Sequence, residues 1–136
     1  MKHMNLRHNA AFTLIELVVV IIIIAILAAV AVPKFYDRAD DARESASLQS
    51  LSTLRSAIEL YRADTGGYPA TLATDIVSYL KGPFPEARVG GVESAAVKSV
   101  SGAAPLATTD ADDAGGWVYN TTTGELKFNM TSHFAY

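Results

Sequence analysis

Glu16 is the residue from which the chemistry of this chain starts. It is the one charge in Phe12–Val32, FTLIELVVVIIIIAILAAVAV, a run of 21 residues. An ionisable group inside so apolar a segment is costly, and by default it marks a specific partner. Asp110, Asp112 and Asp113 form a second grouping, beside Thr108 and Thr109. Oxygen-bearing side chains at that alternate spacing are the donors calcium takes, although the EF-hand pattern is absent. The same residues also read as an ordinary solvated acidic loop. His133 has no partner at metal spacing, so it reads as a surface or strand-end histidine. Asn120-Thr121-Thr122 and Asn129-Met130-Thr131 match the N-glycosylation sequon by letter. Serine, histidine and aspartate all occur, but nothing resembles a nucleophile elbow or a placed triad. No catalytic residue is assigned, and the chain reads as a protein that is not an enzyme. With no cysteine there are no disulfides, thiol nucleophiles or Cys-ligated metals.

The elements that must carry these residues follow from patterning. As a helix, Phe12–Val32 would reach roughly 31 Å, close to the hydrocarbon thickness of a bilayer. Its β-branched residues, Val18 to Ile24, favour strand in water. In lipid a lone strand leaves its backbone unpaired, so helix wins. The run must lie in lipid or pack against other copies of itself. Before it stands MKHMNLRHNAA, with Lys2 and Arg7 and no acid, and positive charge there holds that end in the cytoplasm. A secretory signal peptide would have a shorter apolar region followed by small residues, whereas Ala10-Ala11 precedes this one. An uncleaved signal anchor is one reading, and a cut before Phe12 is the other. The formal net charge is −3, with no basic block, which argues against nucleic acid as a partner.

After Pro33, which should kink or loosen the preceding turn, the pattern turns amphipathic. Phe35, Ala39, Ala42, Ala46, Leu51, Leu54, Ile58 and Tyr61 recur mostly at three- and four-residue spacing, and Arg55–Glu59 forms an i,i+4 pair. Asp64-Thr65-Gly66-Gly67 ends the helix, with glycine as the left-handed cap. Thr71–Leu80 reads as a short helix, and a short strand fits Val89–Glu93 or Val97–Val100. Ser101–Gly116 reads as loop. Gly116–Asn120 and Glu125–Met130 alternate as two strands around a Thr121–Gly124 hairpin loop in which Gly124 suits positive φ. Their apolar residues should pack on the Leu51–Tyr61 stripe.

A short basic leader, a small residue, then Phe12-Thr13-Leu14-Ile15-Glu16-Leu17 and a long apolar helix resembles the type IV pilins and the type II secretion pseudopilins. The resemblance implies that a prepilin peptidase cuts between Ala11 and Phe12 on the cytoplasmic side, and that the new Phe12 amine is methylated. It implies that Glu16, fifth from the cut, serves assembly, and that Pro33 occupies the family's frequent proline position, before which the helix is often partly unwound in assembled pili. Most of the family has glycine before the cut, where this chain has Ala11. A retained leader would leave Glu16 without an amine to meet. Physically, a carboxylate and an ammonium are each costly in lipid, and pairing Glu16 with the Phe12 amine of a neighbour relieves both. Snorkelling of Glu16 to the headgroups is the alternative. Gly67-Tyr68-Pro69, Gly82–Pro85 and the Gly-Gly-Trp hairpin look most like the major pseudopilins. Members of that group often bind calcium before or around the last strands, which points to Asp110, Asp112 and Asp113. Aromatics such as Phe12, Phe35, Tyr36 and Tyr61 are linked to electron conduction in some short pilins, but their spacing here fits core packing better.

The expected fold is α+β and pilin-like, a lollipop with a long N-terminal helix on a small antiparallel sheet. Its parts are a leader (1–11), a transmembrane or filament-core helix (12–32), an amphipathic half (33–66) and a head (67–136). The expected function is that of a structural subunit polymerising into a type IV pilus or a type II secretion pseudopilus, with roles such as motility or adhesion on the pilus side. Its partners would be other copies of the chain, prepilin peptidase and the assembly machinery. It would sit in the bacterial inner membrane, N-terminus cytoplasmic, before entering a periplasmic or extracellular filament. No cofactor is expected, and calcium at Asp110, Asp112 and Asp113 is the one metal considered. The alternative is a membrane-anchored periplasmic binding module with an uncleaved anchor.

Overall fold

The computed structural model describes residues 12–136, and the side chains of these residues except 33–37. The leader and Ala11 therefore lie outside the described residues. The secondary structure begins with one helix, α1, Leu14–Thr65, which runs on through Pro33. The chain divides into two compact units, up to Arg38 and from Ala39 onward.

In the first unit the stretch Leu14–Val32 has a mean hydropathy of 3.3, and none of it is buried within the chain. Ile21, Ile22, Ile23, Ile24, Leu27 and Val30 all face outward. Helix satisfies every backbone group internally, which is why this β-branched run is helical.

In the second unit the remainder of α1 carries one buried stripe: Ser47, Leu51, Leu54, Ala57 and Ile58. Ala42 and Ala46, expected on that stripe, are exposed, so the covered part begins at Ser47. The helix ends as expected, with Gly66 at φ +80° donating its N–H to Arg62 O at 2.9 Å. The expected Thr71–Leu80 helix is split into α2, Leu72–Asp75, and a 3-10 turn, Val77–Tyr79. Leu72 and Ile76 supply its buried side.

Five strands follow. β1 (Ala87–Val89) and β2 (Val92–Ser94) form an antiparallel hairpin. Gly90 and Gly91, both at positive φ, make its turn, so the middle of the expected Val89–Glu93 strand is a reversal. β3 (Val97–Val100), β4 (Trp117–Asn120) and β5 (Leu126–Phe128) form a second sheet in the order β3-β4-β5. β4 and β5 are antiparallel as expected, but β3 runs parallel to β4, so this sheet is mixed. Parallel pairing requires a long crossover, which residues 101–116 provide. That crossover is irregular as expected, apart from a 3-10 turn at Thr108–Asp110.

Every residue of β4 is buried. Trp117 and Tyr119 pair across the sheet with Phe128 and Leu126. Cross-strand partners share a face, and this face packs on Leu51, Leu54 and Ile58 as expected. The Trp117 and Phe128 rings stack at 5.2 Å. Val118 points to the other face, where Leu106 and Phe134 cover it. The class is α+β, a long N-terminal helix with a small sheet head.

Candidate functional site

Glu16 occupies the first turn of α1, and that position sets its geometry. Thr13 is the residue before the helix, and its Oγ1 accepts the Glu16 N–H at 3.3 Å. Glu16 Oε2 reaches back to accept the Thr13 N–H and the Thr13 hydroxyl, each at 2.8 Å. This is a reciprocal capping box, which occupies helix-end N–H groups that otherwise lack partners. The Thr13 N–H belongs to the Phe12–Thr13 peptide, so the carboxylate is folded back beside Phe12, a residue that is 88% exposed. Glu16 Oε1 accepts no hydrogen bond among the described residues. The site is thus an oriented carboxylate with one oxygen open, at the start of a helix with an uncovered apolar surface. Thr13 was not singled out from the sequence, although Thr followed three residues later by Glu is the letter signature of this cap.

The three aspartates do not converge. Asp110 Oδ2 accepts the Ala107 N–H at 2.7 Å. Asp113, itself at φ 58°, accepts the Thr131 N–H at 2.6 Å and the Thr131 hydroxyl at 3.0 Å. Asp112 Oδ1 accepts the Asn129 side-chain amide at 2.7 Å, and its Oδ2 lies 3.1 Å from Lys98 Nζ. The Asn129 amide first, and Lys98 next, hold the Asp112 carboxyl below the usual carboxylate range. Among the described residues no three His, Asp or Glu side chains gather to hold a metal ion.

His133 does have partners. Its Nδ1 lies 2.8 Å from Ser132 Oγ, and its Nε2 lies 3.6 Å from Glu44 Oε1. The second gap is too long for a hydrogen bond, so the acid does not orient the ring as a base would need. His133 and Glu44 border a surface cleft of ≈ 380 Å³ with Asp40, Arg43 and Arg88, a mixture of both charge signs. The two sequon asparagines are buried in the folded head. Asn120 and Asn129 are 1% and 4% exposed, and their amides bond to Gly102 O and Ala104 O, and to Asp112 and Gly115 O. Tyr61 packs on Tyr79 at 5.9 Å, and the Phe35 and Tyr36 side chains lie outside the described ones.

Arg55 breaks another expectation. It does not pair with Glu59. Its guanidinium donates to Leu126 O at 2.8 and 3.2 Å and to Tyr136 O at 2.8 Å. Glu59 instead stands 3.6 Å from Arg62.

Residues 6–32 match the prokaryotic N-terminal methylation motif. The chain is also 37% identical over 68 residues to the type II secretion system core protein G of Pseudomonas aeruginosa. That match covers 50% of this chain and 48% of the relative, so the chain spans about half the length of the curated relative it matches. No solved structure matches the chain. The prepilin-type motif and this relative carry the resemblance to type IV pilins and type II secretion pseudopilins.

Proposed function

We propose that this chain is a structural subunit that polymerises through α1 into a pilus-like filament, on the type II secretion side of the family. The observation that carries this is the helical surface Leu14–Val32, apolar all round and uncovered within the chain, headed by Glu16. Such a surface is stable only in lipid or against like helices. A bilayer holds the subunit first, with the leader on the cytoplasmic side, and neighbouring subunits replace the lipid on assembly. The likeness to a secretion core protein favours a pseudopilus over a surface pilus.

Cleavage between Ala11 and Phe12 by prepilin peptidase would create an amine at Phe12. Such an amine has a pKa near 8 and is cationic at neutral pH. Glu16, already turned toward the chain start by Thr13, would meet the Phe12 amine of the adjoining subunit with its open oxygen. A subunit joining one step out of place would leave both charges unpaired in an apolar layer, so the pair sets register. The role is structural, with no reaction assigned to any residue.

Intact mass of the protein from membranes or sheared filaments tests this reading. The expected mass begins at Phe12 and includes one methyl group. A mass beginning at Met1 overturns it and leaves a membrane-anchored module with its leader in place. Glu16→Ala should stay in the membrane fraction and yield no ordered filaments by electron microscopy. Normal filaments from that variant would remove the register role.

A further inference from the structure

A calcium ion takes six to eight oxygen ligands at about 2.3–2.6 Å. The loop that the family resemblance points to does not present them. Asp110 closes its own turn on Ala107, and Asp113 is held by Thr131. Among the described residues Asp112 is the one loop aspartate with a salt-bridge partner, and that partner is a cation of the chain itself, Lys98. An ammonium at that distance repels a dication approaching the same carboxylate. The donor set as arranged does not fit calcium.

Asp112 stands where the crossover meets the sheet. Residues 101–116 are the crossover that lets β3 run parallel to β4. Near its end the loop is tied to Asn129, just past β5. The Asp112 N–H donates to Asn129 Oδ1 at 3.0 Å, and Asn129 Nδ2 returns to Asp112 Oδ1 and to Gly115 O. Asn129 is buried. The carboxylate is therefore drawn against the sheet, with one oxygen spent on neutral donors. Its other oxygen faces β3, where Lys98 pairs in register with Val118 of β4. Lys98 thus joins the strand before the crossover to the residue near its end.

We propose that Lys98 is the resident cation of this loop: its ammonium latches Asp112 to β3, closes the crossover onto the sheet and makes the folded head independent of calcium. The latch belongs to the head and does not depend on filament formation.

Thermal melts of the full chain in detergent micelles, followed by near-UV circular dichroism, test the latch. Each variant is melted in millimolar calcium chloride and in EDTA. The wild type is expected to melt at the same temperature in both. Lys98→Met should melt lower in EDTA, by at most about 4–8 °C for a half-exposed pair in a head of this size. Lys98→Arg keeps a cation and should lose much less. Asp112→Asn should cost less in the Lys98→Met background than in the wild type, because the pair is already broken. A calcium-dependent rise of several degrees in the wild type overturns the proposal. So does a Lys98→Met melt equal to wild type, a loss in Lys98→Arg as large as in Lys98→Met, or additive losses in the double variant. If Lys98→Met does not fold, Lys98→Gln takes its place with the same expectations.

Discussion

Ile22 and Ile58 are the same residue on the same helix, and their environments are opposite. Ile58 is 1% exposed, packed under Tyr119 and Leu126 in the head's core, while Ile22 is 52% exposed. The difference lies in what the rest of the chain offers each segment. From Ser47 to Tyr61 the helix is apolar on one stripe only, and the head covers it with one face of the β3-β4-β5 sheet together with Leu72, Ile76, Ala87 and Val89. From Leu14 to Val32 it is apolar all round, and no one sheet could cover it. Half of this helix thus closes a core, and the other half leaves one open. A soluble monomer could not keep such a surface in water. The head owes its stability to the chain's own packing, and the N-terminal run can be satisfied only by lipid or by other molecules.

That contrast can be broken most directly by truncating both isoleucines. Ile58→Ala should cost the head about 2–5 kcal/mol, the range for deleting a buried Ile side chain. Ile22→Ala should leave the head's melt within about 0.5 kcal/mol of wild type. Trp117 is the one tryptophan and sits in the core, so its fluorescence reports head unfolding in both variants. Equal losses would mean that the two regions do not differ as described.

A smaller effect sharpens the boundary of the head. Arg55 lies on the outer side of α1, yet it donates to Leu126 O on β5 and to Tyr136 O. Arg55→Ala should destabilise the head by about 1–3 kcal/mol, as expected for hydrogen bonds from a charged donor. Glu59→Ala, which removes only an exposed partner, should cost less than about 0.5 kcal/mol when both variants are unfolded in urea and followed by Trp117 fluorescence. Equal costs would restore the simple i,i+4 pair read from spacing.

The smallest expected effect is on pH dependence. Asp112 is held below the usual carboxylate range, chiefly by the Asn129 amide. Its folded value lies below its unfolded one, so it contributes stability above the unfolded value. That contribution is lost as pH falls through the folded value. The wild-type midpoint should therefore decline on acidification below the ordinary aspartate range, and Asp112→Asn should flatten part of that decline. An identical acid limb in both proteins would show that Asp112 titrates alike folded and unfolded.

Much of the head was legible because it is local. Three- and four-residue spacing marked Leu51, Leu54 and Ile58, and Gly66 and Gly124 stand at positive φ where a cap and a hairpin needed them. What spacing missed are contacts between residues far apart in the chain. Ser47 was not read as core, yet it is buried because its hydroxyl accepts the Arg88 N–H at 2.8 Å and donates to Arg43 O. The parallel pairing of β3 was not visible, because a four-residue strand carries no mark of its neighbour's direction. At the N-terminal site Glu16 was conspicuous as a charge in an apolar run, while the cap that orients it was overlooked in its letters.

By itself the sequence determined the apolar run, its lone carboxylate, the prepilin-type motif and the end of the long helix. These are properties of composition and short-range backbone chemistry, which act whatever the rest of the chain does. Only the tertiary structure decided where the loop aspartates turn and which carbonyls Arg55 caps. It also decided that both sequon asparagines are interior and that Lys98 stands beside Asp112. Each of these depends on which strand lies next to which, and that is settled by burial of Trp117, Tyr119, Leu126 and Phe128 against the helix. Charges and amides then bond to whatever that packing brings within reach.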